Sequence, residues 1–171
     1  DGEEISKGNL EAMILGDYHM GQNLPEIRDT TIQMISEFKP GILVLHDFFD
    51  GHSVSHWVDK KYIEHKLIQQ MDKGQHVLEH ELEIGQKELL FLNEIMEGKR
   101  IYVVASNHHE FLNRYLNEGR FMNDPTNARF GFKLAGYMAT KDYNDPIEAG
   151  YKMIGHVPRN IIFLKRDQDL K

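Results

Sequence analysis

The sequence contains no cysteine, which removes disulfides, thiolate metal sites and cysteine nucleophiles together and fits a cytoplasmic address. No apolar run approaches the roughly 18 residues that a membrane span needs, so neither a transmembrane helix nor a membrane partner is expected. Internal repeats, low-complexity tracts and linker-like stretches are also missing. Asp1 stands where a methionine would start a chain, and Asp1 to Asn9 lacks the basic and apolar regions of a signal peptide, so an excised or processed segment is expected. What remains is a chain of 171 residues, 40% hydrophobic and 10% aromatic, long enough for one compact domain with one sizeable core.

Ten histidines are many for this length, and histidine is the commonest metal ligand. The formal charge of -7, from 20 basic and 27 acidic residues, taken alone weighs against a polyanion partner. The charge is segregated, however. Trp57 to Gly98 holds nine acidic and five basic side chains, whereas Lys99 to Lys133 holds six basic and three acidic ones, so the overall sign does not exclude nucleic acid.

Glu11 to Leu15 carries a short apolar run that suits a buried strand. Pro25 opens a helix whose apolar residues Ile27, Met34, Ile35 and Phe38 recur at helical spacing until Pro40-Gly41. Ile42 to Leu45 repeats the strand pattern, which predicts a right-handed βαβ unit and a parallel sheet. Trp57 to Gly98 is expected to be helical with a break near Lys73-Gly74, its stripe of Leu78, Leu82, Gly85, Leu89, Leu92 and Met96 facing the core. Ile101 to Ala105 is a third strand and Glu110 to Leu116 a short helix. Asp124-Pro125 opens a helix through about Thr140 with Asn123 or Asp124 as its cap, and Ile161 to Leu164 is a last strand.

Three of these strands end in residues able to bind metal: Asp17-Tyr18-His19, His46-Asp47-Phe48-Phe49-Asp50 and Asn107-His108-His109-Glu110. In an open α/β sheet the carboxyl ends of parallel strands share one edge, where ligands bind. A carboxylate and an imidazole two residues apart on a turn can reach one ion, and a second-strand aspartate can bridge two. Carboxylate, imidazole and amide donors together suit Mn, Fe or Zn better than Ca. Singly, each piece has a plainer reading, Asp47 as a helix cap and Asn107 as a turn residue; jointly, at three successive strand ends, they point to a dinuclear site.

Gly16-Asp17-Tyr18-His19-Met20-Gly21, His46-Asp47-Phe48-Phe49-Asp50 and Ser106-Asn107-His108-His109-Glu110 resemble the first three motifs of calcineurin-like metallophosphoesterases, the first motif being closest to the form found in Mre11/SbcD nucleases. His46 and Ser106 stand where that family has glycine, and His109 stands where it has an acid. A narrower resemblance, to phage metallophosphoesterases that include the first-step-transfer DNases, runs through Ser55-His56, through Phe111 to Leu116 and through Asp124-Pro125-Thr126-Asn127-Ala128. The resemblance implies an αββα sandwich with mostly parallel strands, present here as a partial domain truncated on its C-terminal side and carrying a helical insertion at about 57–98.

It implies further that Asp17 and His19 hold one divalent cation, that Asp47 bridges and that Asn107 binds the second, with Mn the first choice and Mg, Fe or Zn possible. His108 would stay off the metal as the catalytic group, while Asp50, His56, Glu110 and Arg114 would contact substrate or orient ligands. His52 is a weaker candidate beside Asp50. His156, in Gly155-His156-Val157-Pro158, is either the ligand of a fourth motif or a loop histidine before proline. His65, His76 and His80 are expected on a solvated helix face. Arg114, Arg120 and Arg129 are available to DNA phosphates or to surface pairing with Glu110 and Glu118. The expected activity is DNA hydrolysis by a water activated between two metals, in host-DNA degradation within the host cytoplasm if phage-encoded. The alternatives are a small-molecule or protein phosphoesterase, and an oligomerisation module that packs its insertion on a second copy.

Overall fold

The computed structural model describes residues 10–55, 76–166 and 168. They form four strands and five helices: β1 (Ala12–Leu15), α1 (Pro25–Phe38), β2 (Ile42–His46), α2 (Leu78–Ile95), β3 (Arg100–Val104), α3 (His109–Asn117), α4 (Ala128–Lys141), α5 (Pro146–Ile154) and β4 (Ile161–Leu164). Short 3-10 turns lie after β2, at His52–Val54, and between α3 and α4, at Arg120–Asn123. The predicted α/β class with a parallel sheet is what the chain adopts.

All pairings are parallel and the strand order is β1-β2-β3-β4, identical to the chain order. Parallel crossovers are right-handed almost without exception, so three successive steps in one direction deliver their helices to one face. The core has that distribution. Met13, Leu43, Leu45, Ile101, Val103 and Ile161 form one cluster with buried residues of every helix, while Val44, Tyr102 and Leu164 lie on the opposite face, where among the described residues their cluster contains strand side chains alone. One sheet is described, which leaves the expected sandwich at its coarser level, a mixed α/β fold.

Local chemistry explains the boundaries. Pro25 begins α1 at its first turn, and Lys39 ends it in the left-handed region at φ 44°, its N–H donating to Ile35 O. The predicted stripe of α2 is buried throughout: Leu78, Leu82, Gly85, Leu89, Leu92 and, just past the last turn, Met96. Gly85 is required there because the Tyr151 ring occupies the space of a Cβ, with Cε1 at 2.9 Å and Cζ at 3.0 Å. The earlier half of the predicted helical segment and its break at Lys73-Gly74 lie outside the described residues.

Two expectations need correction. The helix predicted from Asp124 starts at Ala128, because the Asp124 carboxylate closes its own turn by accepting from Thr126 N (3.1 Å) and Asn127 N (3.2 Å). Helix α5 was not expected from Tyr151-Lys152-Met153-Ile154. Its signal stands just upstream, where Asp145 caps it by accepting from Ile147 N at 2.8 Å and Pro146 occupies its first position. No helix among the described residues is long and apolar enough to cross a membrane.

Candidate metal centre

The carboxyl ends of β1, β2 and β3 lie side by side, and the loops that leave them are stitched to one another. His19 N donates to Asp47 O (2.8 Å) and Met20 N to Phe48 O (2.9 Å), so the β1–β2 ladder continues past both strand ends. Asp17 (φ 51°), His19 (φ 40°) and Asp47 (φ 52°) all adopt the left-handed backbone region. Aspartate and histidine tolerate that region better than most residues with a Cβ, and backbone of this kind concentrates at functional sites. The turn that aims these side chains therefore places strained backbone at the residues expected to bind metal.

The side chains meet around Asp50. His19 Nδ1 lies 2.8 Å from Asp50 Oδ1, His108 Nδ1 lies 2.6 Å from the Asp50 backbone carbonyl, and His52 Nδ1 lies 3.8 Å from Asp50 Oδ2. One donor atom each from His19, Asp50 and His108 falls within 4.8 Å of the others, a grouping able to hold a cation. Hydrogen bonding assigns the nitrogens. A carbonyl only accepts, so Nδ1 of His108 carries the proton and donates to Asp50 O, which leaves Nε2 as the basic nitrogen of the neutral ring. His19 Nδ1 likewise donates to the Asp50 carboxylate, which frees His19 Nε2, and that atom lies 3.8 Å from Asp17 Oδ1. Two ligands of one ion, each about 2.1 Å from it, are at most about 4.2 Å apart, so Asp17 and His19 Nε2 are within reach of a shared cation. Asp50 thus receives both imidazoles, His19 at its carboxylate and His108 at its backbone carbonyl.

Asp47 is 6% exposed. His46 Nδ1 lies 3.2 Å from its Oδ2, while Oδ1 is buried without a hydrogen-bond partner among the described residues. A buried carboxylate oxygen without a donor is costly, and a cation is what such an oxygen fits. Among the described residues, the acids and histidines that gather as a group of three with ligand atoms within 4.8 Å of one another are His19, Asp50 and His108; the expected set of Asp17, His19 and Asp47 does not form such a group. Asn107 is exposed at the end of the third loop.

His109 takes a different part. It is buried, accepts from Ser106 N at 3.2 Å through Nδ1, and burial pushes its pKa down to about 4, against the opposite and smaller pull of Asp47. It is a neutral structural imidazole that ties the third loop to the first turn of α3. The acid after it, Glu110, is exposed on α3 and accepts only a long 3.5 Å bond from Asn113 Nδ2. Arg114 and Arg129 are exposed, and Arg120 is held over Tyr115 at 5.7 Å while donating to Val54 O. His80 is exposed as expected, and His56 and His65 lie outside the described residues.

His156 is placed elsewhere. It sits exposed in the segment that leads from α5 to the amino end of β4, the opposite edge of the sheet from the site, and its carbonyl accepts from Gln86. Of its two readings, the loop histidine is the one the structure has, because Tyr151 to Ile154 form a helix that descends past the sheet where a strand would have ended at the site.

A cleft of about 750 Å³ opens beside the third loop, lined by Ser106, His109, Glu110, Asn113, Lys165 and Arg166 among others. Sequence reasoning missed three residues that support the loops: Glu81, Glu88 and Arg28. The available signal was the pair of acids seven residues apart at the margin of the apolar stripe of α2. Comparison with protein-family models, with curated proteins and with solved structures returns no match, so the family resemblance rests on the three strand-end motifs.

Proposed function

We propose that this chain is the metal-binding part of a metal-dependent phosphodiesterase that hydrolyses DNA, a metallophosphoesterase whose second layer would pack on the Val44, Tyr102 and Leu164 face of the sheet. The observation that carries the reading is the unpartnered Asp47 oxygen, buried beside a loop whose His19 and Asp17 present a nitrogen and an oxygen 3.8 Å apart. Asp17, His19, Asp47 and Asn107 would hold two divalent cations, Mn first among them. Bound there, the cations would neutralise phosphate charge and lower the pKa of the attacking water.

The remaining steps belong to the chain. A phosphodiester is cleaved when water oxygen bonds to phosphorus as the bond to the leaving sugar oxygen breaks, and that oxygen needs a proton. His108 is held by Asp50 O at Nδ1, so its cationic form presents the second proton at Nε2 for donation to the leaving oxygen. The cleft beside the third loop, with Lys165 and Arg166 on its wall, gives a polyanionic strand a place to continue from the scissile phosphate.

Incubation with plasmid, single-stranded DNA and bis-p-nitrophenyl phosphate in Mn²⁺ tests this. Hydrolysis of DNA that disappears in Asp47→Ala is the expected result. Cleavage of the small ester alone would move the substrate to small phosphoesters, and an active, metal-replete Asp47→Ala protein would overturn the reading. The described part of the insertion, α2, buries its stripe in this chain's own core, which favours catalysis over an assembly role for that helix.

A further inference from the structure

Helix α2 directs two carboxylates to the loops of the site. Glu88, itself 5% exposed, accepts from the Tyr18 hydroxyl at 2.6 Å and is clamped by Arg28, whose Nε donates at 3.0 Å and Nη2 at 2.8 Å. Tyr18 is the residue between Asp17 and His19. Its side chain runs from the loop down into the core, where it stacks on Phe48 at 5.5 Å, and its carbonyl accepts from Asn23 Nδ2 at 2.6 Å. The first loop is therefore anchored at its middle residue, with a ligand-type side chain on either side of the anchor.

Glu81 does the same for the second loop. It accepts from His52 N and Ser53 N, both at 3.1 Å, and from Ser53 Oγ at 2.5 Å. These groups belong to the 3-10 turn just beyond Asp50, so the loop is closed immediately after the residue that receives His19 and His108. Burial pushes the Glu81 carboxyl above its ordinary range, and the donors from the turn pull it back down. Seven residues are two helical turns, so Glu81 and Glu88 project from one face of α2. Leu82 and Gly85 between them, and Leu89 just after, are buried in the core.

We infer that Glu88, through Tyr18, and Glu81, through the amides of His52 and Ser53, are positioning residues that hold the first and second loops at the separation at which His19 meets Asp50. The inference rests on the metal reading above for its consequence. Residues that orient metal ligands from behind typically change affinity 10–100-fold when removed, and the two carboxylates set the geometry of one hydrogen bond, the 2.8 Å contact from His19 to Asp50.

The test uses Tyr18→Phe and Glu81→Gln, with Lys99→Ala as a control that removes a hydrogen bond to Lys39 O at the opposite end of the sheet. Two measurements are made on each protein: the imidazole ¹H–¹⁵N spectrum of His19 and His108 without metal, and the dissociation constant for Mn²⁺ by calorimetry. Both variants are expected to shift the His19 Nδ1–H resonance and to weaken Mn²⁺ binding by about 10-fold or more, while the control matches wild type in both. Wild-type spectra and affinity in the two variants, or the same changes in the control, would overturn the inference. A wild-type protein that binds no Mn²⁺ overturns the metal reading instead, and the metal-free spectra then decide the positioning role by themselves. Should Glu81→Gln fail to fold, Tyr18→Phe decides, because it leaves the Glu88–Arg28 pair intact.

Discussion

His108 donates its Nδ1 proton to the backbone carbonyl of Asp50 at 2.6 Å. A backbone carbonyl cannot lose its place through a side-chain rotation, so the ring is fixed in one tautomer by the fold of the second loop. The expected consequence is a separation of roles: His108→Asn should lower kcat by about 10²–10⁴-fold while Mn²⁺ affinity stays within a few-fold of wild type. Equal loss of metal affinity and rate would place His108 among the ligands.

Asp47 buries a carboxylate oxygen that no donor among the described residues reaches. Replacing it by asparagine, which keeps the size and also tolerates left-handed backbone, should leave the metal-free protein folded. The same variant should lose Mn²⁺ binding and hydrolysis. Thermal unfolding with and without Mn²⁺ checks both halves: the wild type gains stability on adding metal, and Asp47→Asn does not.

Asp145 caps α5 from a half-buried position, and burial raises its carboxyl above the ordinary range, with the Ile147 and Glu148 amides pulling it back down. A carboxylate raised in the folded state contributes most below its unfolded value and loses that contribution as pH climbs through the folded value. Asp145→Asn keeps an oxygen for Ile147 N and cannot ionise. Its stability relative to wild type should therefore improve as pH rises from the ordinary carboxylate range, about 3.9, as read from urea midpoints at each pH. Asp145→Ala, which loses the acceptor, should cost about 1 kcal/mol.

Gly85 and Tyr151 share one space in the core, and the Tyr151 hydroxyl is buried without a partner. Gly85→Ala should cost about 1–3 kcal/mol by overpacking, despite the roughly 1 kcal/mol that alanine gains over glycine in a helix. Tyr151→Phe should be neutral or stabilising, since it removes an unsatisfied hydroxyl. The double variant should recover part of the Gly85→Ala loss, and chemical denaturation of the four proteins gives the coupling directly.

The strand-end motifs were legible because each is local: an apolar run of four or five residues followed at once by acids, histidines and an asparagine. Their backbone was not. Asp17, His19 and Asp47 adopt the left-handed region, which no glycine at those positions signals. The supports from α2 were hidden for a different reason, since Glu81 and Glu88 reach residues 28 to 70 positions away. Helix α5 had a visible cap in Asp145-Pro146, but Tyr151 to Ile154 alone, ahead of Gly155-His156, is too short a run to announce a helix.

A sheet whose strand order equals its chain order has a property that doubly wound sheets do not share. Each new strand emerging from synthesis finds its only neighbour already made, with a single crossover to close. Assembly can thus advance in the direction of translation, and the loops after β1 and β2 can come together before the loop after β3 has left the ribosome.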